Sequence, residues 1–198
     1  IDVFDIEVGT KDVEEFIQTV KNIAPTFGGI NLEDIKAPES FEIERRLVEE
    51  LNIPVMHDDQ HGTAIISSAA LLNAVELAGK KTKDLKMVVS GAGSAALACA
   101  NMYVLLGLKV ENILMFNSKG VLTKDNPALS ELQLKYATDK KPMSLEEALV
   151  GADIFLGLSS GDIMTPKMLL GMADNPIVFA MANPNPEIAY NLAISTRK

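Results

Sequence analysis

Short apolar runs alternate with longer stretches of helical periodicity along almost the whole chain. Ile1 to Val8 alternates apolar and polar residues with a single break, as a half-buried strand does. Thr10 can cap a helix running to Asn22, with Val13, Phe16, Ile17 and Val20 on its apolar face and Pro25 stopping it. Phe27 to Leu32 reads as a strand that ends on Glu33-Asp34. Pro38 and Ser40 open the next helix. Phe41, Ile43, Leu47, Val48 and Leu51 point inward there, and Glu42, Glu44, Arg45, Glu49 and Glu50 point to solvent. Ile53 to Met56 is a strand followed by His57-Asp58-Asp59-Gln60-His61-Gly62-Thr63. A helix over Ala64 to Ala78 follows, with Ile65, Ile66, Ala69, Leu72 and Leu77 inward and Gly79 as its stop.

The second half keeps the rhythm. Met87-Val88-Val89 leads into Gly91-Ala92-Gly93, a helix to Leu106, and a strand over Ile113 to Phe116. Residues 120–143 are the least regular, with a short helix expected around Leu129 to Tyr136. Ser144 caps Leu145 to Val150 and has Glu147 at the capping-box position. Ile154 to Leu158 is a strand, Thr165-Pro166 starts a helix to about Met172, and Ile177 to Met181 is a strand ending on Asn183-Pro184. Short apolar strands alternating with amphipathic helices indicate an α/β fold with a doubly wound, mostly parallel sheet.

Composition narrows the partners. The 198 residues allow one sizeable domain or two small ones, and 47% apolar residues suffice for a core. No apolar run approaches a membrane span, and no secretory leader is recognisable, so a cytoplasmic setting is expected. The single cysteine, Cys99, fits a reducing compartment and, among small residues, a buried packing role. A net charge of −9 argues against nucleic acid and anionic membrane as partners. Anionic small molecules remain possible, because strand-to-helix turns offer positive potential through their backbone N–H groups.

Two stretches carry chemistry. Gly91-Ala92-Gly93-Ser94-Ala95-Ala96 is a G-x-G-x-x-A turn between a strand and a helix. Gly91 permits the tight turn, Gly93 lets a pyrophosphate approach the backbone, and Ala96 allows close helix–strand packing. The next strand ends on Asn117-Ser118-Lys119 rather than on an acid. Asn117 can bind a ribose without repelling a 2′-phosphate, and Lys119 can attract one, so both NAD and NADP are admissible. The second stretch is acidic. Glu33, Asp34, Asp58 and Asp59 form two adjacent pairs at two strand ends, an all-oxygen donor set suited to Mg²⁺ or Mn²⁺. His57 and His61 lack a cysteine partner and are expected to be structural or to support the acids.

From about Phe4 to Ile188 the chain resembles the malic enzymes, particularly the compact bacterial type. The most specific blocks are Gly29 to Asp34, His57 to Ala64, Gly91 to Ala96 and Phe179 to Ile188. The segment before Ser144 is similar to that of the large bacterial forms, which carry a phosphate-acetyltransferase-like domain downstream. The resemblance implies oxidative decarboxylation of L-malate to pyruvate and CO₂ with reduction of NAD or NADP, commonly by dimers or higher homo-oligomers. It places metal ligands at Glu33, Asp34 and Asp59, and Asp58 beside a catalytic lysine. Thr63, Ser94, Ala95 and Asn117 fall at cofactor positions, and Asn183 where nicotinamide and substrate meet. The family's general-base lysine and general-acid tyrosine belong to a segment upstream of Ile1; Tyr103, Tyr136 and Tyr190 do not match that tyrosine's motif. The Asn-rich substrate segment would follow Lys198. The expectation is a cofactor-and-metal part, residues 1–198, of a longer enzyme. A malolactic-type enzyme and a non-catalytic nucleotide-binding regulatory module are the alternatives.

Overall fold

A computed structural model describes residues 1–197 and divides the chain into two compact units, Ile1–Gly62 and Thr63 onward. In the first, α1 (Val13–Ile23) and α2 (Glu39–Glu50) accompany two short parallel strands, β1 (Ile30–Leu32) and β2 (Val55–His57). Ile17, Val20, Leu32, Ile43 and Leu47 form the core, so the apolar stripes of both helices and the strands close on one another. The cap of α1 is Asp12, whose carboxylate accepts the Glu15 N–H at 2.9 Å. Thr10, the expected cap, instead accepts the Asp12 N–H.

The second unit is built on a five-stranded sheet in the order β5-β4-β3-β6-β7. Its strands are β3 (Met87–Ser90), β4 (Ile113–Asn117), β5 (Gly120–Val121), β6 (Ile154–Gly157) and β7 (Ile177–Ala180). All pairings are parallel except β4 with β5. Every residue of β3 and β6 is buried, which is why these runs are continuously apolar rather than alternating. The chain leaves β3 for β4 on one side and later returns to β6 on the other. That reversal opens a crevice at the carboxyl ends of β3 and β6. The helices are α3 (Asp58–Leu77, its first turn in the first unit), α4 (Ser94–Leu105), α5 (Glu131–Leu134), α6 (Leu145–Leu149), α7 (Pro166–Gly171) and α8 (Tyr190–Thr196). Ser130, Ser144 and Thr165 cap α5, α6 and α7 through full capping boxes. No helix among the described residues is long and apolar enough to cross a membrane.

Several expectations are corrected. Ile1 to Val8 forms no strand; Ile1, Val3, Phe4 and Ile6 are exposed, and Phe4 rests against Phe27 with ring centroids 6.1 Å apart. Alternation without a neighbouring strand to bond does not make a ladder. Helix α3 starts at Asp58, six residues before the expected Ala64, and its buried face is the reverse of the one expected. Ala64, Ser67, Ser68, Leu71 and Val75 are buried, whereas Ile65, Ile66, Ala69, Leu72 and Leu77 face outward. A helix apolar on all sides has no periodicity to choose a face, and the small residues won the close contact. Ser67 Oγ lies 3.4 Å from the buried Cys99 Sγ, whose thiol is pushed up by burial. Val48 is exposed although read as inward, and Glu44 is buried although read as solvated. Helix α8 lies in a stretch to which the periodicity assigned nothing.

Helices α1 and α2 are tied by ion pairs: Arg46 bonds Glu14 and Glu50, and Lys21 bonds Glu50. The Arg46 hydrogen bond holds Glu14 below the usual carboxylate range, and Lys21, then Arg46, does the same to Glu50. Folded-state values below the unfolded ones mean a contribution that is complete above the unfolded pKa and lost as pH falls through the folded ones. The Arg46→Met variant is therefore expected to lose less stability on acidification from about pH 7 to about pH 3 than the parent, read as urea midpoints. Equal losses would show that the pairs contribute nothing.

Candidate functional site

Parallel pairing aligns Leu32 with His57, so the residues following both strands emerge side by side. Glu33 and Asp34 follow β1; Asp58 and Asp59 follow β2 as the first turn of α3. Asp34 sits in the left-handed region at φ 54°, and its N–H donates to Asp59 Oδ2 at 3.0 Å. Asn31 Nδ2 donates to Glu33 Oε2 at 3.2 Å. Glu33, Asp34 and Asp59 each present a carboxylate oxygen within 4.8 Å of the others. An octahedral ion with bonds of about 2.1 Å keeps neighbouring ligand atoms about 3 Å and opposite ones about 4.2 Å apart, so rotation of these partly exposed side chains would bring them to three of its six positions. No Lys or Arg pairs with the three among the described residues. Three hard oxygen donors fit Mg²⁺ or Mn²⁺.

The fourth acid stands apart. The Asp58 carboxylate lies over Gly62 one turn along α3, in the space a Cβ at that position would occupy. The support beneath the corner is Glu44, which sequence reading placed in solvent. It is 9% exposed, accepts the His57 N–H at 2.9 Å and contacts His61 Nε2 at 2.9 Å. The only available signal was its i, i+3 spacing from Leu47 on a face already carrying Ile43. The His57 ring is wholly buried, with Nε2 3.6 Å from Asp59 Oδ2. His61 thus meets Glu44, while the His57 ring nitrogens have no hydrogen-bond partner among the described residues.

In the second unit the Gly91-to-Ala96 turn joins β3 to α4 as anticipated. Gly91 has φ 118°, and a Cβ there would lie 2.5 Å from the Leu158 carbonyl oxygen. Both features demand glycine. Gly93 caps α4 without a side chain and has open space where a Cβ would project. The N–H groups of Ser94, Ala95 and Ala96 precede the helix's first internal bond, from Leu97 N–H to Gly93 O at 3.0 Å. Such a helix start can take an anion. Ala96 is buried, as close packing requires. Gln133, in the segment read as irregular, donates to the Ala92 carbonyl at 2.9 Å and pins the turn. Nothing local in the sequence signals that contact.

Asn117 ends β4, and its Oδ1 accepts the Lys119 N–H at 2.8 Å, so its amide N–H₂ is the end left for a ligand. Both residues line a groove of about 540 Å³ with Gly120, Met143, Ser144 and Glu147. The groove does not include Gly91 to Ala96. Asn183 lies in the loop after β7, and Thr63 half-buried in α3. That loop is joined to the one after β6 by Glu187, a fully buried carboxylate that accepts the Ser159 and Ala182 N–H groups at 3.1 and 3.0 Å. Sequence reading gave Glu187 no role beyond its place in the Phe179 to Ile188 block.

Two substitutions test this geometry. Glu44→Ala orphans the buried His57 N–H and is expected to cost about 1–3 kcal/mol in urea unfolding, with Glu44→Gln costing less because it keeps an acceptor. Equal costs would deny the bond its role. Gly91→Ala is expected to cost more than about 1–2 kcal/mol, the left-handed penalty alone, since the Leu158 carbonyl must also move; an unchanged midpoint would contradict the observed turn.

Comparison with known proteins bears on the family and the fold. Residues 60–191 match the family model described as malic enzyme, NAD binding domain, and residues 6–48 match malic enzyme, N-terminal domain. The whole chain is 53% identical to an NADP-dependent malic enzyme of Salmonella typhimurium and 50% identical to an NAD-dependent malic enzyme of Rhizobium meliloti, covering 26% of each. It is 49% identical to an NADP-dependent malic enzyme of Halomonas elongata, of which it covers 47%. The chain thus spans between about a quarter and a half of these relatives. The crystal structure of an NAD-dependent malic enzyme from Thermotoga maritima superposes with a TM-score of 0.92 at 43% identity, over 99% of this chain and 53% of that one. A malic enzyme from Pyrococcus horikoshii gives 0.91 at 37% identity, over 99% and 48%. With a family model covering most of its length and its fold shared throughout, the chain belongs to the malic enzyme family.

Proposed function

We propose that this chain is the cofactor-and-metal part of a longer cytoplasmic, homo-oligomeric enzyme that converts L-malate to pyruvate and CO₂ while reducing NAD or NADP. The observation that carries the reading is the convergence of Glu33, Asp34 and Asp59 within 4.8 Å at two parallel strand ends, in a chain whose residues 60–191 match an NAD-binding domain. Those three carboxylates would hold Mg²⁺ or Mn²⁺. Bound there, the ion would supply Lewis acidity that polarises an oxygen of the substrate.

The chain's own groups do the rest. Free N–H groups at the start of α4 would receive the pyrophosphate beside Gly91 and Gly93, with Ser94 and Ala95 nearest to it and Ala96 keeping the helix close. Thr63 is assigned to the cofactor on family likeness. The Asn117 amide would bind a ribose, and Lys119 would meet a 2′-phosphate where one is present. Asn183 would hold the nicotinamide end and the substrate. Asp58, its carboxylate seated over Gly62, would pair with the ammonium form of the general-base lysine once that lysine has taken the proton of the substrate hydroxyl. That lysine, and the tyrosine that would protonate the enolate, are supplied from beyond this chain.

The test is NAD(P)H absorbance at 340 nm with malate and Mn²⁺. The full-length protein is expected to yield net reduced cofactor and pyruvate, whereas the isolated 198-residue chain yields none. Loss of general acid–base groups typically removes about 10²- to 10⁴-fold each. Lactate without net NAD(P)H would favour the malolactic-type alternative. Robust pyruvate formation by the isolated chain would contradict the division of labour.

A further inference from the structure

We propose that Glu187 is the positioning residue of the nicotinamide half of the nucleotide site; this rests on the dinucleotide reading above. Its carboxylate is fully buried, and no Lys, Arg or His pairs with it among the described residues. Each oxygen instead accepts one backbone N–H, Oε1 from Ser159 at 3.1 Å and Oε2 from Ala182 at 3.0 Å. Ser159 belongs to the loop after β6; Ala182 directly precedes Asn183 in the loop after β7. One carboxylate therefore sets the separation of two loops that lie beyond adjacent strand ends.

The backbone around it is fitted to that purpose. The Glu187 carbonyl accepts the Met164 N–H at 2.9 Å, and the Pro186 carbonyl accepts the Asp162 N–H at 3.0 Å. Gly157, the last residue of β6, lies flat beneath the carboxylate, and any Cβ there would overlap it. Gly161 makes the same allowance for Asn185, whose Cβ would be 2.7 Å from an added one. Ser159 Oγ lies 2.8 Å from Ser90 Oγ, and Ser90 immediately precedes Gly91. The clamp thus reaches from the Asn183 loop to the dinucleotide turn across the crevice at the β3–β6 reversal. Burying an uncompensated carboxylate is costly, and an apolar side chain of similar size would fill the space more cheaply. What an apolar side chain does not do is bond both N–H groups and so hold the two loops in register. The adenosine half is bound at the turn and at Asn117, whose backbone groups Glu187 does not bond.

The experiment compares two ligands on the 198-residue chain. One is NADH or NADPH, whichever binds the parent more tightly, followed by nicotinamide fluorescence. The other is the matching ADP-ribose or its 2′-phosphate, which lacks nicotinamide, followed by calorimetry. Glu187→Gln keeps one acceptor oxygen and Glu187→Ala keeps none. The affinity gained from nicotinamide is expected to fall several-fold in the Gln variant and tenfold or more in the Ala variant, with ADP-ribose binding within twofold of the parent. Equal losses for both ligands, or none, would overturn the inference while leaving the dinucleotide reading intact. Failure of the parent to bind either ligand would sink both. Should the variants not fold, the parent's ¹⁵N spectrum decides: the Ser159 and Ala182 amides are expected to shift with the reduced dinucleotide and not with ADP-ribose, and unmoved resonances would overturn the proposal.

Discussion

Parallel strand pairing is the constraint on which both units depend. Parallel strands deliver all their carboxyl ends to one edge of a sheet, so residues distant in sequence emerge there together. The pairing of Leu32 with His57 brings Glu33 and Asp34 to Asp59. The pairing of Ser90 with Gly157, and of Gly157 with Ala180, brings the glycine turn, the Ser159 loop and the Asn183 loop to one edge in the same way. A slip of one residue would turn every side chain of the slipped strand to the other face and scatter both groups. Buried apolar runs in β3 and β6, and the small core around Leu32 and Leu47, are what hold the registers fixed.

Buried acids then fix what register alone leaves loose. Glu44 beneath the β2–α3 corner and Glu187 beneath the β6 and β7 loops each bond backbone N–H groups. Short loops carry few apolar contacts, so hydrogen bonds to their backbone must supply the rigidity that packing supplies elsewhere. A carboxylate suits that task because it accepts from two directions at once.

Much of this was legible in the sequence because it is local. The strand ends bearing Glu33-Asp34 and Asp58-Asp59, the Gly91–Ala96 turn and the Ser144–Glu147 capping box are each specified within a few residues. What was not legible is set by partners far along the chain. Helix α3 is apolar on every side, and only its packing selects Ala64, Ser67 and Leu71 for burial over Ile65, Ile66 and Leu72. Ile1 to Val8 has a strand's pattern and no strand beside it. Glu44, Gln133 and Glu187 look like surface residues until the backbone groups they bond, 13, 41, and 28 and 5 positions away, are brought to them.

The central claim is that the strand-end acids form one cation site rather than three solvated side chains. Calorimetric titration of Mn²⁺ into the chain, repeated with Glu33→Ala and with Asp59→Ala, tests it most directly. The account predicts a single saturable site in the parent that each substitution abolishes or weakens at least tenfold. No Mn²⁺ binding in the parent, or an affinity indifferent to both substitutions, would contradict it and favour a nucleotide-binding module without metal chemistry.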